Sequence, residues 1–307
     1  MEEKKKVLIL GKNSYIGTSF RQYIEEWYPN QYEIDSVTLR DDKWKGDTWS
    51  VYDSIINVSG KAHISKENCV RQQEQEYYHV NYQLACDTAA KAVQEGVRQY
   101  IYFSSMSVYG LGDSEKIVAI TSKTKPAPEN IYGDSKWKAE QQLQRIVGNE
   151  ERTNLVILRP PMIYGKGCRG NYQTLAKIAK HVLIFPDYDN ERSMLYIGNL
   201  CEFLVEILKH EGGGVYFPQD AEYIRTSEMV RLIGKEHNRK IILISALNPF
   251  VCVGKKMPGK IGRMVRKAFG SLVYDKCINI MIPDEYQKYP LDKSIKETES
   301  DSLQARG

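Results

Sequence analysis

The feature that most limits what this chain can fold into is a repeated change of period. "KVLILG" (residues 6–11) is a short, wholly apolar run ending in glycine. "YIGTSFRQYIEEW" follows with helical spacing and stops before Pro29. An apolar run of this length predicts a strand buried on both faces, and the spacing after it predicts a helix packed on that strand. "EIDSVTLR" (33–40), "YDSIINVSG" (52–60), "QYIYFSS" (99–105) and "TNLVILRPPMIYG" (153–165) read as further strands, and "HVNYQLACDTAAKAVQEG" (79–96) reads as a helix closed by Gly96. Helical segments separate the strands except after "VTLR", where the connection is short and irregular. This alternation predicts an α/β fold with a doubly wound parallel sheet and helices on both faces.

After residue 165 the pattern loosens. "NYQTLAKIAKHV", "LCEFLVEILKH" and "TSEMVRLIGKEH" read as helices, the last with Thr226 or Ser227 as its N-cap, and "GVYFP" reads as a short strand. A smaller mixed α/β lobe on the C-terminal side is expected. Residues 1–165, with about 190–220, are assigned to the sheet domain, and 166–189 with 221–290 to the lobe. The polar stretch 291–307 has no periodicity and is expected to be a mobile tail.

Composition narrows the partners. The chain has 307 residues, 27% charged and 42% apolar, and its net charge of +4 is spread along the chain. That balance fits a soluble globular protein and gives no reason to expect nucleic acid. No apolar run is long enough to span a bilayer. "IILISALNPFVCVG" (241–254) is the most apolar segment and is broken by Pro249, so no membrane partner is expected. The N-terminus passes from charge straight into a strand, without the pattern of a signal peptide. Six scattered cysteines without CxxC spacing read as free thiols in a reducing cytoplasm, and no metal site is expected.

Between the first strand and helix, "LILGKNSYIG" places Gly11 and Gly17 six residues apart, with Lys12, Ser14, Tyr15 and Ile16 between them. A dinucleotide site needs glycine here so that the chain turns tightly and the backbone approaches a pyrophosphate at the helix N-terminus. Ser14 stands where the middle glycine of GxxGxxG is expected. At the end of the second strand, where a carboxylate would select NAD, the chain has Arg40. Arginine cannot accept a ribose hydrogen bond but can grip a 2′-phosphate, with Lys12 assisting, so the cofactor is NAD or NADP with the charges weighing toward NADP. Arg40 could equally stack on adenine or face solvent.

"ENIYGDSKWKAEQQL" (129–143) sets Tyr132 four residues before Lys136, on one face of a helix. A phenol is a poor base at neutral pH unless a nearby ammonium lowers its pKa. In a chain with 21 tyrosines such a pair arises often by chance as ordinary surface residues. Its company changes the balance. "FSSMSVYG" (103–110) leaves the C-terminal end of a strand, where open α/β sheets carry their chemistry, and Ser105 there can hold a substrate oxygen. Ser107 is the second choice for that role, and Asn81 can support the helix backbone or a water beside the lysine.

"GKNSYIG", "HVNYQLACDTA", "YIYFSSMSVYG", "YGDSKWKAE", "LRPPMIYGKG" and "ERSMLYIGNL" occur in one order over roughly residues 6–290. In order and spacing they resemble the extended short-chain dehydrogenase/reductases, the NAD-dependent epimerase/dehydratase family. The resemblance implies a Rossmann-type sheet. It implies Tyr132 as general acid/base, Lys136 as the residue that lowers its pKa and holds the nicotinamide ribose, Ser105 as the orienting hydroxyl and Asn81 as the structural member. Pro160 would pack near the nicotinamide, and Ser59 and Gly60, where the family has small alanines, would lie near the cofactor. The nearest likeness within the family is to UDP-hexose 4-epimerases and UDP-sugar 4-keto reductases. That implies a nucleotide-diphosphate sugar as partner, with Asn171 and Arg192 on its diphosphate. Asn171 could instead be a helix N-cap, and Arg192 a surface ion pair with Glu191 or Asp189. Lys61 and His63 are weaker candidates beside the sugar. Asn199 stands where the family has aspartate. A homodimer is expected from the resemblance alone. Two other readings remain: a dinucleotide-sensing regulator, and a reductase of a non-nucleotide alcohol or ketone.

Overall fold

The computed structural model describes residues 3–62, 70–110, 119–148, 152–279 and 284–300. Two units are woven from alternating stretches of chain. Residues 1–110, 126–160 and 201–218 form the first, and 111–125, 161–200 and 219–307 the second.

The first unit holds six strands: β1 (Lys5–Leu10), β2 (Tyr32–Val37), β3 (Ser54–Asn57), β4 (Gln99–Phe103), β5 (Asn154–Leu158) and β6 (Gly214–Tyr216). They form one sheet in the order β6-β5-β4-β3-β1-β2, with every neighbouring pair parallel. Val7 to Leu10 and all of β3 and β4 are buried, as apolar strands covered on both faces must be. The helices are α1 (Tyr15–Trp27), α2 (Val70–Tyr78), α3 (Leu84–Gln94), α4 (Ile131–Val147) and α5 (Ile197–His210), which enters this unit at Cys201. Ala85, Ala89 and Ala92 of α3 and Ala139, Leu143 and Val147 of α4 join Leu8, Ile55 and Tyr100 in one core cluster. Their three- and four-residue spacing puts each set on one helix face. From β1 the strand order runs one way to β2 and the other way through β3. The sheet therefore has a switch point between β1 and β3, where a crevice opens beyond the strand C-termini.

Three local expectations are corrected. The helix expected to start at residue 79 is preceded by α2 and enters α3 through a π-turn at His79–Gln83. β2 ends at Val37, before "TLR". The irregular stretch beyond it is filled by Trp44 and Trp49, both buried and stacked at 5.7 Å. The run 153–165 is two strands. Pro160 and Pro161 carry no N–H, so the ladder stops at Leu158, and Met162–Tyr164 pairs with Met194–Tyr196 in the second unit.

The second unit has three short parallel pairs: Met162–Tyr164 with Met194–Tyr196, Ile184–Pro186 with Ile242–Ile244, and Ala119–Ile120 with Val273–Tyr274. It holds helices Asn171–His181, Thr226–Glu236, Asn248–Lys256, Gly259–Phe269 and Leu291–Glu299. The unit boundaries differ from those expected, because 161–165 and 190–200 belong here. The tail is corrected as far as residue 299: Leu291–Glu299 is a helix with Ile295 1% exposed, so its single apolar anchor is in the core. Neither Thr226 nor Ser227 caps its helix by side chain. The Thr226 amide is capped by Asn190 Oδ1 at 3.1 Å, and Ser227 Oγ accepts from the Tyr188 amide instead. Asn199 is fully buried and donates to Asp220 Oδ1 at 2.8 Å. An aspartate at 199 would set a second carboxylate against Asp220, whose pKa burial already raises to about 6.

Candidate active site

The glycine loop lies at the switch point. Gly11 has φ +117°, and its amide and that of Lys12 both donate to Val37 O at the end of β2. A Cβ on Gly17 would come within 2.7 Å of Ser14 Oγ and 2.9 Å of Ile9, so only glycine fits there without displacement. Ser14 sits at φ −73°, a conformation that needs no glycine, and its Oγ accepts from the Gly17 amide at 3.0 Å as the α1 N-cap. The amides of Tyr15 and Ile16 open the helix ahead of its first internal bond, as an anion-binding terminus requires. Lys12 and Arg40 are both exposed, and the Arg40 amide donates to Thr38 Oγ1. Across the switch point, Ser59 takes Asn57 Oδ1 on its amide at 3.0 Å, beside Gly11.

The second cluster gathers at the C-terminal end of β4. Asn130 caps α4 by accepting from the Gly133 amide, which places Tyr132 and Lys136 in the first turns. Ser105 follows β4 and caps the short turn Met106–Tyr109, accepting from the Ser107 amide at 3.1 Å and donating to Ser107 Oγ at 3.2 Å. The Pro160 carbonyl takes the Met106 amide at 2.9 Å and pins this turn. Ser105 lies close enough to the Tyr132 phenol to favour its ionised form. Ser104, its neighbour, points the other way into a buried bond with Glu140. Asn81 lies in the π-turn and is fully buried. Its Oδ1 accepts from the Lys61 amide at 2.8 Å, and its Nδ2 donates to Lys61 O and to Ser135 Oγ. Ser135 Oγ in turn donates to Tyr132 O at 2.8 Å. A Cβ on Gly60 would lie 3.2 Å from Lys136 Nζ and 3.4 Å from Asn81 Oδ1, so this glycine floors the cluster. His63 lies outside the described residues.

The electrostatics differ from the sequence expectation. Lys136 is 3% exposed. Its Nζ donates to Phe103 O at 2.7 Å and lies 4.7 Å from the centre of the Tyr102 ring. Burial lowers its pKa to about 7, and the nearby Glu140 carboxylate offsets only part of this. Burial also raises the Tyr132 phenol, while nearby Ser105 lowers it. Burial thus holds the phenol in its protonated form, and Ser105 works against it.

One pH dependence follows. Because the folded pKa of Lys136 lies below the ordinary 10.5, the unfolded chain holds this proton over a window in which the folded chain has lost it. Stability therefore rises with pH from about 7 toward 10, by at most about 1.4 kcal/mol per pH unit for one proton, and the cost of the buried charge is greatest below pH 7. Urea unfolding of wild type and Lys136→Met across this window is expected to show wild type gaining on the variant as pH rises. Parallel curves would contradict it.

Three contributors were not read from sequence. Gly133 is required because a Cβ would come within 2.4 Å of Ser107 O, so glycine lets α4 sit on the turn that carries Ser105. Ser135 links Asn81 to the Tyr132 backbone, and Tyr102 donates to Asn81 O at 2.8 Å. All three fall inside quoted motifs, but only spacing to the tyrosine and strand end could have singled them out.

Asn171 and Arg192 lie in the second unit. Asn171 opens helix Asn171–His181 with an exposed side chain, and Gly170, at φ +98°, occupies the N-cap position instead. Among the described residues Arg192 forms no ion pair with Glu191 or Asp189. Its Nη1 donates to Lys267 O at 3.1 Å and Gly270 O at 2.9 Å, the carbonyl end of helix Gly259–Phe269. Among the described residues no group of three or more His, Cys, Asp or Glu could hold a metal, and no helix is long and apolar enough to cross a membrane.

A six-stranded parallel sheet with a glycine loop at its switch point defines an α/β protein of dinucleotide-binding architecture. The NAD dependent epimerase/dehydratase family matches residues 7–217, and the chain belongs to that family. It is 30% identical over 184 residues to UDP-glucose 4-epimerase of Vibrio cholerae, across 58% of this chain and 55% of that relative, so the match spans about half the relative's length. It is 28% identical over 257 residues to N-acetyl-alpha-D-glucosaminyl-diphospho-ditrans,octacis-undecaprenol 4-epimerase of Escherichia coli O157:H7, across 76% and 73% of the two chains. RMD from Pseudomonas aeruginosa, solved with NADPH, shares the fold, with a TM-score of 0.72 and 16% identity over 97% of this chain and 99% of that one.

Proposed function

We propose that this chain is an NAD(P)-dependent oxidoreductase or epimerase that acts at C4 of a nucleotide-diphosphate hexose, a UDP-hexose by preference. The observation that carries this is the cluster at the C-terminal end of β4, where buried Lys136 is held on Phe103 O, Asn81 is linked through Ser135 to the Tyr132 carbonyl, and Ser105 lies near the Tyr132 phenol. The loop fits a dinucleotide: two glycines are required by conformation or space, and α1 presents its first amides. Tyr15, Ile16 and the loop amides would hold the pyrophosphate, Ser59 and Gly60 would lie near the cofactor, and Lys136 would reach the nicotinamide ribose. The bound nicotinamide supplies the chemistry of accepting or returning a hydride. Tyr132 donates its phenolic proton to the C4 keto oxygen in the reducing direction and takes it back in the oxidising one. Ser105 orients that oxygen and Asn81 holds α4 in place. Pro160 fixes the turn that carries Ser105. Asn171 and Arg192 are the residues proposed for the sugar-nucleotide diphosphate. Arg192 binds the helix carbonyls through Nη1, and a guanidinium fork suits a diphosphate. A homodimer belongs to the same reading.

The test is to incubate purified protein with UDP-glucose and UDP-N-acetylglucosamine, with NAD and with NADPH, and to follow C4 epimers and cofactor absorbance. Absence of both products with every pair would overturn it. Cofactor choice has its own test. Arg40→Asp is expected to weaken NADP binding about tenfold or more, the value of a charge-assisted phosphate contact, while NAD binding holds or improves. Equal losses for both would remove Arg40 from the 2′-phosphate.

A further inference from the structure

Helices Asn248–Lys256 and Gly259–Phe269 form a hairpin in the second unit whose outer face has no partner among the described residues. Ten large apolar side chains are exposed among those residues, and five lie within 250–264: Phe250 (75%), Val253 (64%), Met257 (40%), Ile261 (54%) and Met264 (62%). Phe250 and Val253 are three residues apart, as are Ile261 and Met264, so each pair shares one helix face, and Met257 follows as the C-cap of the first helix. The opposite faces account for the packing. Val251 and Gly254 are buried, and a Cβ on Gly254 would come within 3.2 Å of Val265. Arg266 Nη1 donates to Lys255 O at 2.7 Å and ties the two helices together. The apolar stripe is therefore held outward on a braced support.

The charge beside it is one-sided. Residues 248–269 contain six of the chain's 43 lysines and arginines and none of its 39 aspartates and glutamates, so the rest of the chain is net negative. Lys256, Arg263 and Lys267 are exposed beside the apolar stripe. An exposed apolar face on a segment whose charged residues are all cations is the pattern of a helix lying in a membrane interface. Its apolar side chains enter the acyl boundary and its lysines and arginines reach anionic headgroups. A protein partner would need an acidic rim around an apolar patch, whereas an anionic bilayer supplies both terms over its whole surface.

We infer that this hairpin docks the protein on an anionic lipid bilayer, lying on the surface without crossing it. The sequence expectation of no membrane partner rested on the absence of a spanning run, and interfacial binding needs none. The inference goes beyond the proposed activity and stands without it.

The test uses the full chain, sedimented with phosphatidylglycerol/phosphatidylcholine vesicles and with pure phosphatidylcholine vesicles. Binding is expected on the anionic vesicles, weak on the neutral ones, and reduced by added salt. The double variant Phe250→Ser/Met264→Ser is expected to weaken vesicle binding about tenfold or more, and so is Lys256→Glu/Arg263→Glu. All four positions are exposed, and unchanged thermal unfolding checks that the variants fold. Failure to bind anionic vesicles at low salt would overturn the inference. So would binding that Phe250→Ser/Met264→Ser leaves unchanged. Light scattering provides the remaining outcome: a dimer that this variant splits, with no vesicle binding in wild type, would assign the face to a second copy and overturn the bilayer.

Discussion

Tyr132→Phe is expected to lower turnover of the nucleotide sugar by about 10³-fold while leaving dinucleotide affinity within a few-fold of wild type. The substitution removes one oxygen. That oxygen is the proton donor of the proposed reaction, and a positioned acid/base group contributes typically 10²- to 10⁴-fold. Ser105 lies near that oxygen, so Ser105→Ala should lose less, since the proton donor itself then remains. Turnover measured at saturating substrate, with dinucleotide binding by calorimetry, separates these terms. A Tyr132→Phe enzyme with wild-type turnover would end the assignment. A matching loss of dinucleotide binding would show that the residue supports the crevice and not the chemistry.

The largest stability effect is expected at Glu140, away from the reacting atoms. Glu140 is fully buried and Arg159 is 6% exposed. The carboxylate accepts from Arg159 Nε at 3.1 and 3.2 Å, from Arg159 Nη2 and from Ser104 Oγ. The guanidinium also lies over the rings of Tyr109, Trp137 and Phe217. Glu140→Ala leaves a buried cation without its counter-charge, at a cost of about 3–5 kcal/mol. Thermal unfolding should fall on the order of 10 °C. Replacing both partners, as Glu140→Leu/Arg159→Met, should recover much of that loss, because no charge is then stranded. A double variant as unstable as the single one would contradict the argument.

The parts legible from sequence were those written as a change of period beside a turn residue. β1, the glycine loop and α1 follow from four buried apolar residues, a glycine forced to positive φ and a serine cap. The candidate site was legible as a set of strand ends and helix starts, the positions from which Ser105, Tyr132, Lys136 and Asn81 come. What stayed hidden depends on packing between distant residues. Four-residue spacing put Lys136 on the right face but could not say that its ammonium turns to Phe103 O and loses its solvent. Trp44 and Trp49 sit in a stretch without periodicity and enter the core by stacking on each other. Leu291–Glu299 reads as polar because its anchors are one isoleucine and a glutamate. Glu299 is buried through Tyr172 at 3.0 Å and His237 at 2.6 Å, residues far away in sequence.

The weaving of the two units also governs how the chain can be made. Strand β6 at residues 214–216 closes one edge of the parallel sheet, and β5 beside it arrives only at 154–158. A ribosome releasing this chain from its N-terminus therefore emits five of the six strands well before the last one exists. Parallel pairing across such separations is slow, and the nascent sheet stands open-edged meanwhile. Slowing translation past residue 218 should not help this chain fold, whereas a holdase that shields β5 until then should raise its soluble yield.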